Sequence, residues 1–165
     1  MDLIKYQGLT PESADHLTEK LNGLLNDYSV FQSNVETIHW DNRLRPFLDL
    51  SQKIHILHDI TQVNRNRVAE AIVSMGGKPI FQHEYNDEQG LTTANVRQIQ
   101  PVHNFEEAVF SIVEASRELL TTVEDVFYTA VAYNEENTMA LMREFAMQLS
   151  FAIGVFSSVR LAQMN

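Results

Sequence analysis

The sequence predicts an all-α protein in which four long helices form a bundle. Apolar residues recur at steps of three and four in four separate blocks, as they do along the buried face of a helix. A stretch of about 26 residues without this periodicity divides the blocks into two pairs. A chain of 165 residues is expected to form one domain, here residues 1–165.

The first pair of blocks predicts an antiparallel helical hairpin. The first helix is predicted over about residues 11 to 40, because Thr10 is a good N-cap and a proline follows it. The second is predicted over about 47 to 75, where Gly76-Gly77 ends it. Its apolar stripe is predicted to consist of Leu50, Ile54, Leu57, Ile60, Val68, Ala71 and Met75.

The second pair predicts another hairpin, reached by a long crossover with at most a short helix around residues 91 to 97. Asn104 and Glu107 are spaced as a capping box at the start of the third helix, which is predicted to end near residue 133. The fourth helix follows an acidic turn and is predicted to end near residue 164. Two hairpins joined by one crossover form the ferritin-like variant of the four-helix bundle.

Composition excludes several classes of function. The formal net charge is −10, which opposes binding to nucleic acid, and no apolar run approaches the ~20 residues of a membrane span. The chain contains no cysteine, so a transition-metal site must use His, Asp, Glu and weaker oxygen donors. The residues after Met1 show no secretory signal, and a cytoplasmic location is expected.

One Glu-x-x-His motif lies at the end of the first helix. Glu36 and His39 are three residues apart and share a face of the helix. A di-iron site within one bundle requires a second such motif, and the sequence has none. That interpretation would also need inward-facing carboxylates from the third helix, and the candidates are Glu114, Glu118 and Glu124.

The second helix carries a stripe of possible metal ligands at steps of three and four. Two interpretations are open for this stripe: a ligand-bearing face, or an ordinary solvated face that is rich in histidine. The remaining histidines, His16, His83 and His103, are expected to be ordinary surface or capping residues. The stripe consists of His55, His58, Asp59, Gln62, Asn66 and Glu70.

An Asn-x-x-x-x-His-Trp sequence ends the first helix at His39-Trp40, and Glu70-x-x-x-x-x-Gly-Gly-Lys-Pro closes the second. With this spacing, the chain resembles the Dps family of mini-ferritins over roughly residues 17 to 80 without gaps. The run from Leu21 to Tyr28 is also similar to the first helix of that family. Thr138, just after the acidic turn, gives the best local agreement in the second hairpin.

The resemblance implies a hollow shell of twelve subunits in the cytoplasm. Such a shell takes up Fe(II), oxidises it, often with hydrogen peroxide, and stores the ferric mineral, which protects the cell against oxidative stress. The ferroxidase centre of that family lies between two subunits. One contributes two histidines and an aspartate, and its partner contributes an Asp-x-x-x-Glu from the second helix.

Carried over by position, the family's ligand set is only partly kept. His39 matches the first histidine and Glu70 matches the glutamate. Ser51 stands at the second histidine, His55 at the aspartate that follows it, and Asn66 at the aspartate of the partner. The resemblance therefore implies a metal site of His39, His55, Asn66 and Glu70. Fewer carboxylates balance less of the charge of iron, so weaker iron binding is expected, and zinc or another divalent ion becomes an alternative.

Three further expectations come from the resemblance. Trp40 is expected next to the metal centre, where it either intercepts oxidising intermediates or packs at the subunit interface. The resemblance therefore implies His39, Glu70 and Trp40 as the catalytic residues. Glu135 and Glu136, with Glu144, either line a channel for cations or belong to an ordinary acidic helix start. DNA binding is not expected, because the N-terminal ten residues hold one lysine and the chain is acidic.

Two hypotheses for function follow. The first is a Dps-like iron-storage protein with an altered ferroxidase centre, an oxidoreductase that acts in iron homeostasis. The alternative is a shell of the same kind that has lost ferroxidase activity and binds another divalent metal.

Overall fold

The computed structural model describes residues 8–44, 47–81, 94–99 and 101–163. In that part of the chain there are four long helices, one 3-10 turn and no strand, as an all-α bundle requires. The helix bounds lie within one residue of their predicted positions, except that α4 begins at Glu136, inside the acidic turn 135–137 that was expected to precede it. The helices are α1 (Pro11–His39), α2 (Leu48–Ser74), α3 (Phe105–Ala132) and α4 (Glu136–Gln163), with the 3-10 turn at Asn42–Leu44.

The starts of α1 and α3 carry the predicted caps. The Thr10 side chain accepts a hydrogen bond from the Ser13 backbone N–H at 3.2 Å. The Asn104 side chain accepts one from the Glu107 backbone N–H at 2.9 Å, while the Glu107 carboxylate accepts from the His103 N–H at 2.8 Å. Each cap satisfies an N–H group that the first turn of a helix leaves without a partner.

Two helices end in the same way, with a residue at positive φ. Gly76 follows α2 with φ 82°, and the Gly77 N–H donates back to the Ile72 carbonyl at 3.0 Å. Asn134 follows α3 with φ 54°, and the Glu135 N–H donates to the Ala130 carbonyl at 3.0 Å. These are Schellman ends, in which the left-handed residue turns the chain sharply into the next segment.

Packing orders the helices as two hairpins, with α1 against α2 and α3 against α4, and α1 also contacts α3. The predicted stripe of α2 is wrong at Ile60, which is exposed. Thr61 and Asn64 take the buried positions in the middle of this helix, next to an apolar cleft that separates α2 from α4. The largest buried core residues are Leu17, Leu21, Leu24, Leu25, Tyr28, Phe31, Ile38, Leu50, Ile54, Ile72, Ile112 and Phe145.

The crossover is held by three side chains of α1. Asn22 donates to the Lys78 carbonyl and accepts from the Ile80 N–H, and Asn34 likewise bonds residues 97 and 99. Between them, buried Asp27 accepts hydrogen bonds from residues 95 and 96. The short helix predicted around 91–97 lies partly outside the described residues, and residues 94–97 are not helical because these bonds replace helical ones.

The fourth helix is more apolar than its single predicted stripe. By length and composition, Glu136–Arg160 with a mean hydropathy of 1.3 could cross a membrane, although no such segment is predicted. Met142, Phe145 and Leu149 place one face of this helix in the bundle core. Its opposite face bears exposed Met147 and Phe151, so apolar residues occur all around the helix.

Candidate functional site

Three histidines meet where α1 ends beside the first turns of α2. The ring centres of His39 and His55 are 5.4 Å apart, and those of His39 and His58 are 6.3 Å apart. The Trp40 ring lies edge-on to His39 at 4.8 Å, with the tryptophan 75% exposed. The structure thus brings together His39, His55 and Trp40 of the predicted site, and it adds His58. We call His39, His55 and His58 the histidine cluster.

His58 contacts two carboxylates instead of facing solvent as a surface histidine would. Its Nε2 lies 3.0 Å from Glu36 Oε1, and its side chain is only 22% exposed. The hydrogen bond that the His58 ring donates to the Glu36 carboxylate raises the pKa of His58, with a smaller contribution from Asp59. The spacing of three residues between His55 and His58 could have identified this neighbour, because it places both side chains on one face of α2.

His39 has the opposite electrostatic character. Burial lowers the pKa of His39, and the nearby His55 and His58 lower it further. Its Nδ1 is buried without a hydrogen-bond partner among the described residues. A neutral imidazole with an unused ring nitrogen is the form that binds a metal, so His39 fits the role of a ligand.

Asn66 and Glu70 are not brought to the histidine cluster within one chain. Glu70 follows His55 by fifteen residues, which is ~22 Å along a helix at 1.5 Å per residue. Both side chains are exposed, and Glu70 lines a cavity of 430 Å³ between the end of α2 and the start of α4. Over the described ranges, no three His, Asp or Glu side chains are arranged to hold a metal ion. Ser51 is partly buried on α2, one turn before His55.

The acidic residues at the start of α4 have local partners. Glu135 is 5% exposed, and its carboxylate accepts a hydrogen bond from the Thr138 N–H at 2.7 Å, which caps the helix. Glu144 binds Arg67 through both carboxylate oxygens at 2.7 and 2.8 Å, and Arg67 lowers the pKa of Glu144. The helix-start interpretation therefore holds for Glu135, whereas Glu136 is exposed.

A di-iron centre inside one bundle is not supported. Glu36 binds His58, and the carboxylates of α3 face other partners or solvent. Glu114 pairs with Arg117 on its own helix, Glu118 binds Arg97 of the crossover at 2.7 Å, and Glu124 is exposed. The reason is that the inner face of α3 is occupied by its apolar stripe.

The isolated histidines have ordinary structural surroundings. His16 Nδ1 lies 2.5 Å from the Tyr133 hydroxyl, and His103 Nδ1 lies 3.4 Å from an Arg43 nitrogen. His83 lies outside the described residues.

Comparison with known proteins gives two relatives, and no protein-family model matches the chain. An uncharacterized protein of Haemophilus influenzae is 24% identical over 151 residues, which are 92% of each chain. A DNA protection during starvation protein of Porphyromonas gingivalis is 30% identical over 77 residues, or 47% of this chain and 48% of the relative.

Solved structures resemble the fold over almost its whole length. A DPS protein of Vibrio cholerae O1, described as belonging to a broad superfamily of ferritin-like diiron-carboxylate proteins, matches with a TM-score of 0.81 and 21% identity, covering 96% of this chain and 98% of that one. A Dps protein of Bacillus brevis matches at 0.78 and 18%, covering 92% and 99%. The chain therefore has the ferritin-like four-helix fold of the Dps proteins, as its sequence predicts.

Proposed function

We propose that this protein is a Dps-like mini-ferritin that takes up Fe(II), oxidises it at an altered centre between two subunits, and stores the product. The observation that carries the proposal is the position of His39 on a Dps fold. Its buried Nδ1 has no hydrogen-bond partner within the described residues, and the ring of His55 lies 5.4 Å away. Iron is the substrate here, and peroxide is the oxidant, which accepts one electron from each of two Fe(II) ions.

Exposed apolar side chains support a centre shared between subunits. The chain alone exposes Trp40, Met147 and Phe151, each by about three quarters of its surface (75%, 74% and 75%). Contact with a second subunit would bury such large apolar side chains. Glu70 and Asn66 are exposed, and they lie too far along α2 to reach His39 of the same chain. A second subunit would therefore supply them. We propose a homo-oligomer, with twelve subunits as the Dps resemblance implies, in the cytoplasm.

The proposed chemistry divides roles among a few residues. His39 and His55 would hold Fe(II) through imidazole nitrogens, and Glu70 of the neighbouring subunit would supply an anionic oxygen that balances the charge of Fe(III). Asn66 would add a neutral oxygen. Trp40 would pack over the centre at the interface and take part in intercepting oxidising products.

Iron oxidation tests the proposal directly. Fe(II) is added anaerobically with hydrogen peroxide, and the absorbance of soluble ferric product is followed for the assembled protein, for Glu70→Ala and for a protein-free blank. We expect the parent to oxidise Fe(II) faster than the blank. The oxidation rate of Glu70→Ala should be at least tenfold lower than that of the parent, because the centre then lacks its one carboxylate. Glu124→Ala, an exposed glutamate of α3, is the matched control and should keep the rate.

The second candidate function, a non-catalytic shell that binds another divalent metal, is favoured by Ser51 and Asn66 at ligand positions. The ferroxidase proposal would be contradicted if the parent oxidised Fe(II) no faster than Glu70→Ala and the blank. The parent must still elute as a large assembly in size-exclusion chromatography. That result would support this second function.

We also propose that the assembly does not bind duplex DNA. The formal charge of −10 per chain opposes a phosphate backbone. Many described cations are already paired, among them Lys20 with Asp125, Arg43 with Asp41, Arg67 with Glu144, Arg97 with Glu118 and Arg117 with Glu114. A labelled duplex should migrate unshifted at low salt, beside a basic DNA-binding protein as positive control, and a retarded band would overturn this proposal.

A further inference from the structure

The apolar cleft between α2 and α4 is closed at one end by polar contacts. Asn64 Nδ2 donates to Gln148 Oε1 at 2.6 Å, and one turn further along α2 Arg67 binds Glu144. From the first of these contacts toward the start of α2, the two helices leave a cavity of 330 Å³. Its lining is mainly aliphatic and aromatic and includes Leu57, Ile60, Leu149, Phe151, Ala152 and Phe156.

The cavity has the size and character of a site for a small apolar molecule. Ligand pockets measure about 300–1,000 Å³, and most of their lining is apolar with a few polar groups that orient the ligand. Phe151 and Ile60 are exposed, whereas Leu57 and Leu149 are buried, so the cavity is open to solvent on one side and closed on the other. Water in such a cleft finds few polar partners, and an apolar molecule would displace it favourably.

One polar group in the lining of the cleft lacks a partner. Tyr28 of α1 lines the cavity and is 1% exposed, and its hydroxyl has no hydrogen-bond partner among the described residues. Its neighbour on α2, Asn64, donates to Gln148 instead. Burial raises the pKa of Tyr28, and the nearby Asn64 and Arg67 offset this only in part, so the hydroxyl keeps its proton. A buried hydroxyl without a partner costs free energy that an acceptor would recover.

We propose that this cleft binds a small, neutral, mainly apolar molecule with one hydroxyl or carbonyl oxygen, which accepts a hydrogen bond from Tyr28. An anionic ligand is disfavoured because the cations beside the cleft are already paired. Arg67 binds Glu144 at one end, and Lys53 binds Asp49 at 2.5 Å at the other. A carboxylate would therefore be buried without a counter-charge. The proposal uses no residue of the proposed iron centre and is independent of it.

Binding of 1-naphthol to the assembled protein tests the cleft. The fluorescence of its neutral form increases when the molecule leaves water, and naphthalene, which has the same rings without the oxygen, is measured by competition. We expect one 1-naphthol per chain, with naphthalene bound about three- to tenfold more weakly, as the loss of one hydrogen bond predicts. Tyr28→Phe should bind 1-naphthol about three- to tenfold more weakly than the parent, and naphthalene with unchanged affinity.

Matched variants control for changes elsewhere in the protein. Tyr133→Phe removes a hydroxyl that contacts His16 at 2.5 Å, away from the cleft, and should bind 1-naphthol like the parent. Ala152→Leu fills the cleft and should bind both molecules at least tenfold more weakly. Ala140→Leu, at an exposed position three turns earlier on α4, should bind both normally. Circular dichroism of each variant establishes that it is folded.

Thermal unfolding without ligand is a second readout for Tyr28. Tyr28→Phe should unfold at the temperature of the parent or above it, because the variant removes a hydroxyl that lacks a partner. A clear fall would show that the hydroxyl is bonded within the protein and would overturn the proposal. Equal affinity of the parent and Tyr28→Phe for 1-naphthol would also overturn it. So would a parent that binds 1-naphthol no better than Ala152→Leu, since the assembly itself would then fill the cleft.

Discussion

Replacing Asp27 with alanine is expected to lower the free energy of unfolding by about 3 to 5 kcal/mol. The side chain is fully buried and accepts hydrogen bonds from the Asn95 N–H at 2.6 Å and the Thr122 hydroxyl at 2.7 Å. The Val96 N–H also donates to it at 3.3 Å. Alanine would leave the Thr122 hydroxyl and the Val96 N–H buried without this acceptor, and each such loss costs about 1 to 3 kcal/mol.

Urea unfolding followed by circular dichroism measures this effect. Asp125→Ala is the matched control, since that aspartate is 57% exposed and pairs with Lys20 at the surface. It should change the free energy of unfolding by less than about 1 kcal/mol. Asp27→Asn keeps one acceptor oxygen and should fall between the two. An unfolding midpoint of Asp27→Ala equal to that of the control would show that the crossover is held by other contacts.

Replacing Phe145 with alanine should destabilise the bundle by about 3 to 5 kcal/mol. The ring is fully buried on α4, meets Tyr28 of α1 edge-on at 5.4 Å, and lies under the Arg67 guanidinium at 5.5 Å. The variant loses the transfer free energy of the ring and leaves a cavity between α4 and α1.

Phe110→Ala supplies the comparison for this core variant. Phe110 is 51% exposed on α3, where Arg160 lies 5.9 Å from its ring centre. We expect this change to cost less than about 1 kcal/mol. Thermal unfolding of both variants at equal protein concentration is the measurement. Similar losses for the two would mean that Phe145 is not part of a tightly packed centre.

The helices were predictable from sequence because their information is local. Apolar spacing gives the length of a helix, and Thr10 and Asn104 fix two of the starts through bonds to residues three positions away. Gly76 gives an end for the same reason, since a positive φ favours glycine. Asn134 at the end of α3 was less visible, because asparagine adopts this conformation less often than glycine.

The anchors of the crossover were not predictable by such reasoning. Asn22, Asp27 and Asn34 are polar residues on an otherwise amphipathic helix, and their partners in the crossover lie 56 to 69 residues away in sequence. The spacing of apolar residues along a helix carries no information about such distant pairs. The exposure of Ile60 has the same origin, because the wide separation of α2 and α4 is a property of packing.

The candidate site could be predicted in part. Resemblance indicated His39, His55 and Glu70 by position, and the structure brings the first two together while Glu70 lies elsewhere on α2. The contact of His58 with Glu36 was missed because it joins two helices through side-chain directions. The sequence gives the spacing along each helix but not the rotation of one helix against the other.

The anchors on α1 also order the events of folding. Each hairpin closes through a short turn, which is fast because little chain entropy is lost. The bonds from Asn22, Asp27 and Asn34 close loops of 58, 68 and 65 residues, and Asp27 also needs Thr122 of the other hairpin. We therefore expect the crossover to dock last, after the two hairpins have met through α1 and α3.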